Sequence, residues 1–178
     1  GATSGSLTLV TETWYDHRGD TIATWSSGSP MTKMTYDGAG RVTATYTTDG
    51  GAVNNTTSAG TILTDWADAG TIGNDVVLSQ VEYQYDNNGN VILATDREAF
   101  NTNGTASTGS LLNAGDTSGH AARVSYAFTY YDAANRPIES VNAGTNGIVS
   151  DDTTSGGVDL NITSGIASRP FTMPNRTV

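Results

Sequence analysis

Tyr36-Asp37-Gly38-Ala39-Gly40-Arg41-Val42-Thr43-Ala44-Thr45-Tyr46-Thr47 reads as a turn followed by a strand. Asp37 follows a run of strand-compatible residues, where its carboxylate can accept backbone N–H groups two residues on. Gly40 sits where a left-handed conformation closes the turn as a bulge. After it, Val42, Ala44 and Tyr46 alternate with Thr43, Thr45 and Thr47, the period of two of a strand. The stretch therefore predicts a β-hairpin tip with its two strands.

The same phrase is written three more times. Tyr15-Asp16-His17-Arg18-Gly19-Asp20-Thr21-Ile22 precedes it, and Tyr85-Asp86-Asn87-Asn88-Gly89-Asn90-Val91 and Tyr131-Asp132-Ala133-Ala134-Asn135-Arg136-Pro137-Ile138 follow. The frame is Tyr-Asp, two variable residues, Gly or once Asn, a polar residue, then a β-branched residue within two positions. A catalytic site is normally written once, whereas a phrase repeated along a chain describes a building unit. Before the third copy, Val81, Tyr83 and Tyr85 alternate with Glu82 and Gln84. The fourth copy raises a register conflict. Tyr131 shares parity with Ser125, Ala127 and Thr129, opposite to Val124, Tyr126, Phe128 and Tyr130. Either both sheet faces are covered, or a bulge falls near Tyr130.

The four phrases resemble those of Rhs/YD-repeat proteins, the family of bacterial Rhs proteins, Tc-toxin shells and teneurins. Tyr15 and Tyr36 stand 21 residues apart, the usual repeat length of that family, and the later steps are 49 and 46. The resemblance covers roughly residues 7–142. It implies an all-β fold of stacked hairpins in an extended or spiralling sheet, as in a tube, shell or fibre. The expected organisation is a hairpin array over residues 1–144, with loop insertions near 48–62 and 101–120. An extended tail over 145–178 could add one more strand at Val158–Thr163. The repeat residues carrying the expectation are Tyr15, Asp16, Gly19, Tyr36, Asp37, Gly40, Tyr85, Asp86, Gly89, Tyr131, Asp132 and Asn135.

Composition agrees with an all-β product. The chain holds 29 Thr, 16 Ser, 14 Asn and 21 Gly in 178 residues. Thr favours strands, and Gly and Asn favour turns. The best helical segment, Leu63–Ala69, is short and ends at Gly70. Apolar residues make up 36% of the chain, thin for a conventional core, and repeat units solve this by burying each other.

The formal net charge is −10, which argues against nucleic acid as a partner and against an anionic membrane surface. No apolar run reaches transmembrane length, so membrane insertion is not expected. There is no cysteine, hence neither a disulfide framework nor a thiolate metal site.

Sharper motifs give way to the turn reading. Arg18-Gly19-Asp20 spells an integrin-type tripeptide, but inside a repeat turn. Asp86-Asn87-Asn88-Gly89-Asn90 resembles part of a calcium loop in poor register with its closing carboxylate. His17 and His120, the two histidines, lie outside any nucleophile or metal motif. No catalytic, cofactor or metal residue is therefore expected, and the chain is read as a non-enzyme. Asn-X-Ser/Thr sequons at Asn54, Asn55, Asn103, Asn161 and Asn175 offer glycosylation positions.

The function these features imply is structural: a unit of an extracellular or cell-surface fibre, tube or shell that self-associates through sheet edges. Its expected partners are copies of itself or neighbouring repeats of a longer chain, with glycans as a further candidate. A segment of an Rhs-type cocoon around a toxin and a carbohydrate-binding adhesion module are the alternatives. The single lysine, Lys33, and the scarcity of proline leave the edges short of the usual protection. Leu7–Trp14 and Val158–Thr163 are the sequence candidates for edge contacts.

Overall fold

The computed structural model describes residues 10–50, 66–100, 107–112 and 116–145. Eight strands form one antiparallel sheet in chain order: β1 (Thr11–Tyr15), β2 (Thr21–Ser26), β3 (Met31–Tyr36), β4 (Val42–Thr48), β5 (Val77–Tyr85), β6 (Val91–Ala99), β7 (Ala122–Tyr131) and β8 (Pro137–Gly144). A single helical turn, α1 (Trp66–Ala69), lies between β4 and β5, inside the best helical segment of the sequence. Among the described residues the sheet is open, with β1 and β8 as its edges.

All four Tyr-Asp phrases are hairpin turns, joining β1 to β2, β3 to β4, β5 to β6 and β7 to β8. Their registers are the same. The residue two before each aspartate faces the residue seven after it: Trp14 with Ala23, Thr35 with Ala44, Gln84 with Leu93, Tyr130 with Glu139. A register shift then falls immediately before every motif tyrosine, between Trp14 and Tyr15, Thr35 and Tyr36, Gln84 and Tyr85, and Tyr130 and Tyr131. The extra residue of each shift lies on the strand after the turn, at Ile22, Thr43, Ile92 and Ile138, so the same bulge is built into every repeat.

The hairpins also join one another by one rule. Ala23 faces Lys33, Ala44 faces Glu82, and Leu93 faces Phe128. In each case the residue seven after one aspartate faces the residue four before the next. Insertions between hairpins leave this register unchanged, because they lie on the side away from the turns.

One sheet face is covered and the other open. Ile22, Ala23, Trp25 and Met31 pack with Ala69 of α1, flanked by Trp14 and Tyr36. Ala44, Tyr46, Val77 and Ala122 pack with Leu111 from the segment between β6 and β7. Each insertion therefore lends apolar cover that the strands cannot supply themselves, at about 1.5–3 kcal/mol for a fully buried large aliphatic side chain. On the open face Thr13, Thr24, Thr32, Thr47 and Ser79 are successive cross-strand partners over β1 to β5. Such hydroxyl pairs suit a half-exposed pleat.

Strand β5 departs from simple alternation. Val81 and Tyr83 are only half-buried, while Gln80 on the opposite parity is 1% exposed. The amide is buried because it is satisfied: Gln80 Nε2 donates to Glu82 Oε1 at 2.8 Å, and its Oε1 accepts from Leu111 N at 2.9 Å.

Candidate functional site

The turns are built to one plan. Asp16 Oδ1 accepts the N–H groups of Arg18 (2.8 Å) and Asp20 (2.9 Å). Asp37 does the same for Ala39 and Arg41, Asp86 for Asn88 and Asn90, and Asp132 for Ala134 and Arg136, all at 2.8–3.0 Å. Gly19, Gly40 and Gly89 have φ of 88°, 80° and 88°, and Asn135, the one non-glycine in that place, has 59°. The aspartate is the reason the phrase is Tyr-Asp: its side chain replaces the ladder bonds that the turn cannot make.

These contacts also set the carboxyls' acidity. Asp37 lies below its ordinary value, held first by the N–H of Arg41. Asp132 lies below it through the Arg136 side chain and then its N–H. At Asp16 and Asp86 partial burial pulls upward, and the turn donors together outweigh it.

Neighbouring turns interlock. Tyr36 donates its hydroxyl to Thr21 O at 2.7 Å, and Tyr85 to Val42 O at 2.6 Å. In the other direction Arg18 Nη1 donates to Asp37 O at 3.2 Å, and Arg41 Nη1 to Asp86 O at 3.4 Å. Arg41 also lies over the Tyr85 ring, 4.6 Å from its centroid. At the third junction Asn90 Nδ2 bonds Asn135 Oδ1 at 2.9 Å. The Arg18-Gly19-Asp20 tripeptide is spent on the same work: Arg18 pairs with Asp20 at 2.9 Å and with Asp16 at 3.5 Å. The carboxylate of Asp86, considered above for calcium, accepts from Asn88 and twice from Asn90.

The sequence did not reveal the role of Lys33. It guards no edge: it lies on inner strand β3, 2% exposed. Its Nζ donates to Asp68 O and Thr71 O, each at 2.7 Å, and meets both oxygens of Asp75 at 2.9 and 2.7 Å. One ammonium thus fastens the α1 segment to the sheet. The segment before β7 is fastened similarly. Arg97 pairs with Glu82 at 3.2 Å and donates to Leu112 O at 3.3 Å. Gly109 N donates to Asp75 O at 2.8 Å, which ties the two insertions together.

Serine, histidine and aspartate do converge in that second segment. His120 Nδ1 lies 2.8 Å from Ser118 Oγ, and Ser118 Oγ lies 2.7 Å from Asp116 Oδ2. The order is wrong for nucleophilic catalysis. There the ring bridges the acid and the hydroxyl, whereas here the hydroxyl stands between the acid and the ring. The other ring nitrogen contacts Thr108 O at 2.8 Å. Asp116 Oδ2 also accepts the backbone N–H groups of Ser118 and His120, both at 3.0 Å. The cluster works as a loop clasp.

A polar depression of about 450 Å³ lies at the end of β6, β7 and β8, bordered by Asp96, Glu98, Arg123, Ser125, Asn142 and Gly144. Among the described residues no cluster of three or more His, Asp or Glu could hold a metal ion. The sequons at Asn54, Asn55, Asn103, Asn161 and Asn175 lie outside the described residues, as does Val158–Thr163.

Among the described residues the sheet ends at β8, opened by Pro137, on one side and at β1, whose start at Thr11 falls within the expected Leu7–Trp14 contact, on the other. Glu12 on β1 faces Trp25, and Glu139 on β8 faces Tyr130. Both edges therefore carry a carboxylate, one form of protection the composition had hidden.

Comparison with protein-family models and with curated proteins finds no match to this chain.

Proposed function

We propose that this chain is a structural unit of the YD-repeat kind, outside the cell or at its surface, which associates with copies of itself or with further repeats through its sheet edges. The observation that carries this reading is the single register rule at all three internal junctions. A sheet whose hairpins add by a fixed step can be extended by another hairpin at either end. Open edges left unpaired are a liability, and pairing with the next unit removes it. The polar side chains and turn contacts favour a structural role over chemistry. The carboxylates of Asp16, Asp37, Asp86 and Asp132 hold turns, Asp75 holds Lys33, Glu82 holds Gln80 and Arg97, and Asp116 closes a loop clasp.

The cocoon alternative draws on the same rule, since a longer chain could supply the next hairpin. The carbohydrate-binding alternative has less behind it, because among the described residues no aromatic ring on which a sugar could stack borders the polar depression. Electron microscopy and sedimentation velocity of the purified chain test the proposal. Filaments or oligomers that disappear when residues 1–13 are removed support a self-associating unit. A chain that stays monomeric at high concentration under all conditions, with or without those residues, moves the reading to the cocoon.

A further inference from the structure

We infer that β8 of one copy pairs with β1 of the next in the register of the internal junctions, and that Glu139 and Glu12 meet there and make this association acid-dependent. The inference rests on the self-association reading above and names its contact.

The register follows from the repeat. Each internal junction sets the residue seven after one turn aspartate against the residue four before the next. Counting from Asp132 gives Glu139, and counting to Asp16 gives Glu12. The same step sets Ser140 against Thr11 and Val141 against Val10. Strand direction permits this. In the antiparallel order β8 runs opposite to β7, and β1 has the direction of β7. The turn of the incoming copy then falls beside the last turn of the first, as internal turns do.

Both edges carry residues whose counterparts make the internal interlock. Arg136 grips its aspartate as Arg41 does, with Nε 2.7 Å and Nη2 2.6 Å from Asp132 Oδ2, against 2.7 Å for both in the Arg41 pair. Arg41 goes on to cover Tyr85 and reach Asp86 O, and its side chain is 35% exposed. The Arg136 side chain, with no further turn beside it among the described residues, is 78% exposed. At the other edge Tyr15, the counterpart of Tyr85, is 53% exposed. Val10 and Ile138 add exposed apolar surface, at 40% and 50%.

One element opposes the fit. At the internal junctions the position of Glu139 and Glu12 holds Ala23 with Lys33, Ala44 with Glu82, and Leu93 with Phe128. None is a like-charge pair. Two ionised carboxylates directly opposite each other are destabilising in a sheet. The groups facing them cannot neutralise them. Trp25 stands opposite Glu12 and Tyr130 opposite Glu139. The cations of the flanking turns, Arg18 and Arg136, are paired with aspartates of their own turns. Protonation of one glutamate removes the repulsion and lets the pair share a hydrogen bond. The same charges keep separate copies apart at neutral pH, as inward charges on edge strands do elsewhere.

The test is sedimentation velocity of the full chain at neutral pH and at about pH 4, near the ordinary glutamate value, with circular dichroism to check folding. Association is expected at the lower pH only. The Glu12→Gln/Glu139→Gln chain should associate at both, at least about fivefold tighter than the unaltered chain at neutral pH. Because the chain has no cysteine, mixing a Ser140→Cys chain with a Thr11→Cys chain, both carrying Glu12→Gln/Glu139→Gln, with an added thiol oxidant at neutral pH should give a disulfide-linked dimer. Ser140→Cys mixed with Thr13→Cys should not. Association of the unaltered chain to the same extent at both pH values overturns the acid gate. Assembly in which the Ser140–Thr11 crosslink fails overturns the register while leaving self-association standing. Glutamine variants that remain monomeric at every pH overturn both.

Discussion

The hydroxyl of Tyr85 lies 2.6 Å from the carbonyl oxygen of Val42, a residue of the preceding hairpin. Tyr36 stands in the same relation to Thr21 at 2.7 Å. In β3 and β5 the motif tyrosine therefore serves the junction between turns more than its own turn, tying the second hairpin to the first and the third to the second where the turns stand side by side.

Tyr85→Phe should lower stability by about 1 kcal/mol, the usual net worth of one such bond. Tyr131→Phe should cost close to nothing, because its hydroxyl makes no hydrogen bond to a described residue. Urea denaturation of the two variants provides the comparison. A Tyr85→Phe chain as stable as the unaltered one would mean that this tyrosine acts through ring packing alone.

Gly40→Val probes the turn itself. A Cβ at Gly40 meets nothing closer than Asp20 Oδ2 at 4.0 Å. Space is therefore available, and any loss comes from the backbone, whose φ is +80°. A β-branched residue held there should cost roughly 1 kcal/mol or more. A thermal midpoint unchanged by the substitution would show that the turn can relax to another type.

Lys33→Met should destabilise far more, by about 3–5 kcal/mol, because it leaves the Asp75 carboxylate buried and uncompensated. The double variant Lys33→Met/Asp75→Leu should recover much of that loss, since a buried pair replaced by apolar groups of similar size is often neutral. Chemical denaturation of the unaltered chain, Lys33→Met, Asp75→Leu and the double variant gives the coupling directly. If the double variant is as unstable as Lys33→Met, the carbonyls of Asp68 and Thr71 carry the anchor instead.

The hairpins were legible in the sequence because their information is local. An aspartate, a glycine three residues later and alternating threonines suffice to place a turn and its strands. Lys33 was not legible, because its partners Asp68, Thr71 and Asp75 are 35–42 residues away across an insertion. Nothing in composition marks a lone lysine as buried. The facing of Gln80 was hidden for the same reason, since Leu111 satisfies it from the insertion after its own hairpin. The meeting of Glu139 and Glu12 required the register rule, which a sequence interrupted by insertions does not display.

Acid should unfold the chain through its turns. Asp16, Asp37, Asp86 and Asp132 all lie below their ordinary value of 3.8 in the folded protein. In the unfolded chain they return to it, so between the two values the unfolded state binds more protons. Their stabilisation is complete above the ordinary value and is lost as pH falls through the depressed ones. Carboxyl titration by NMR should place the four aspartates below that ordinary value, and circular dichroism should follow them. Asp37→Asn keeps an acceptor oxygen for the N–H groups of Ala39 and Arg41 but removes the charge, so it should make the acid transition shallower. Aspartates that titrate at their ordinary value would remove the turn-based account of acid stability.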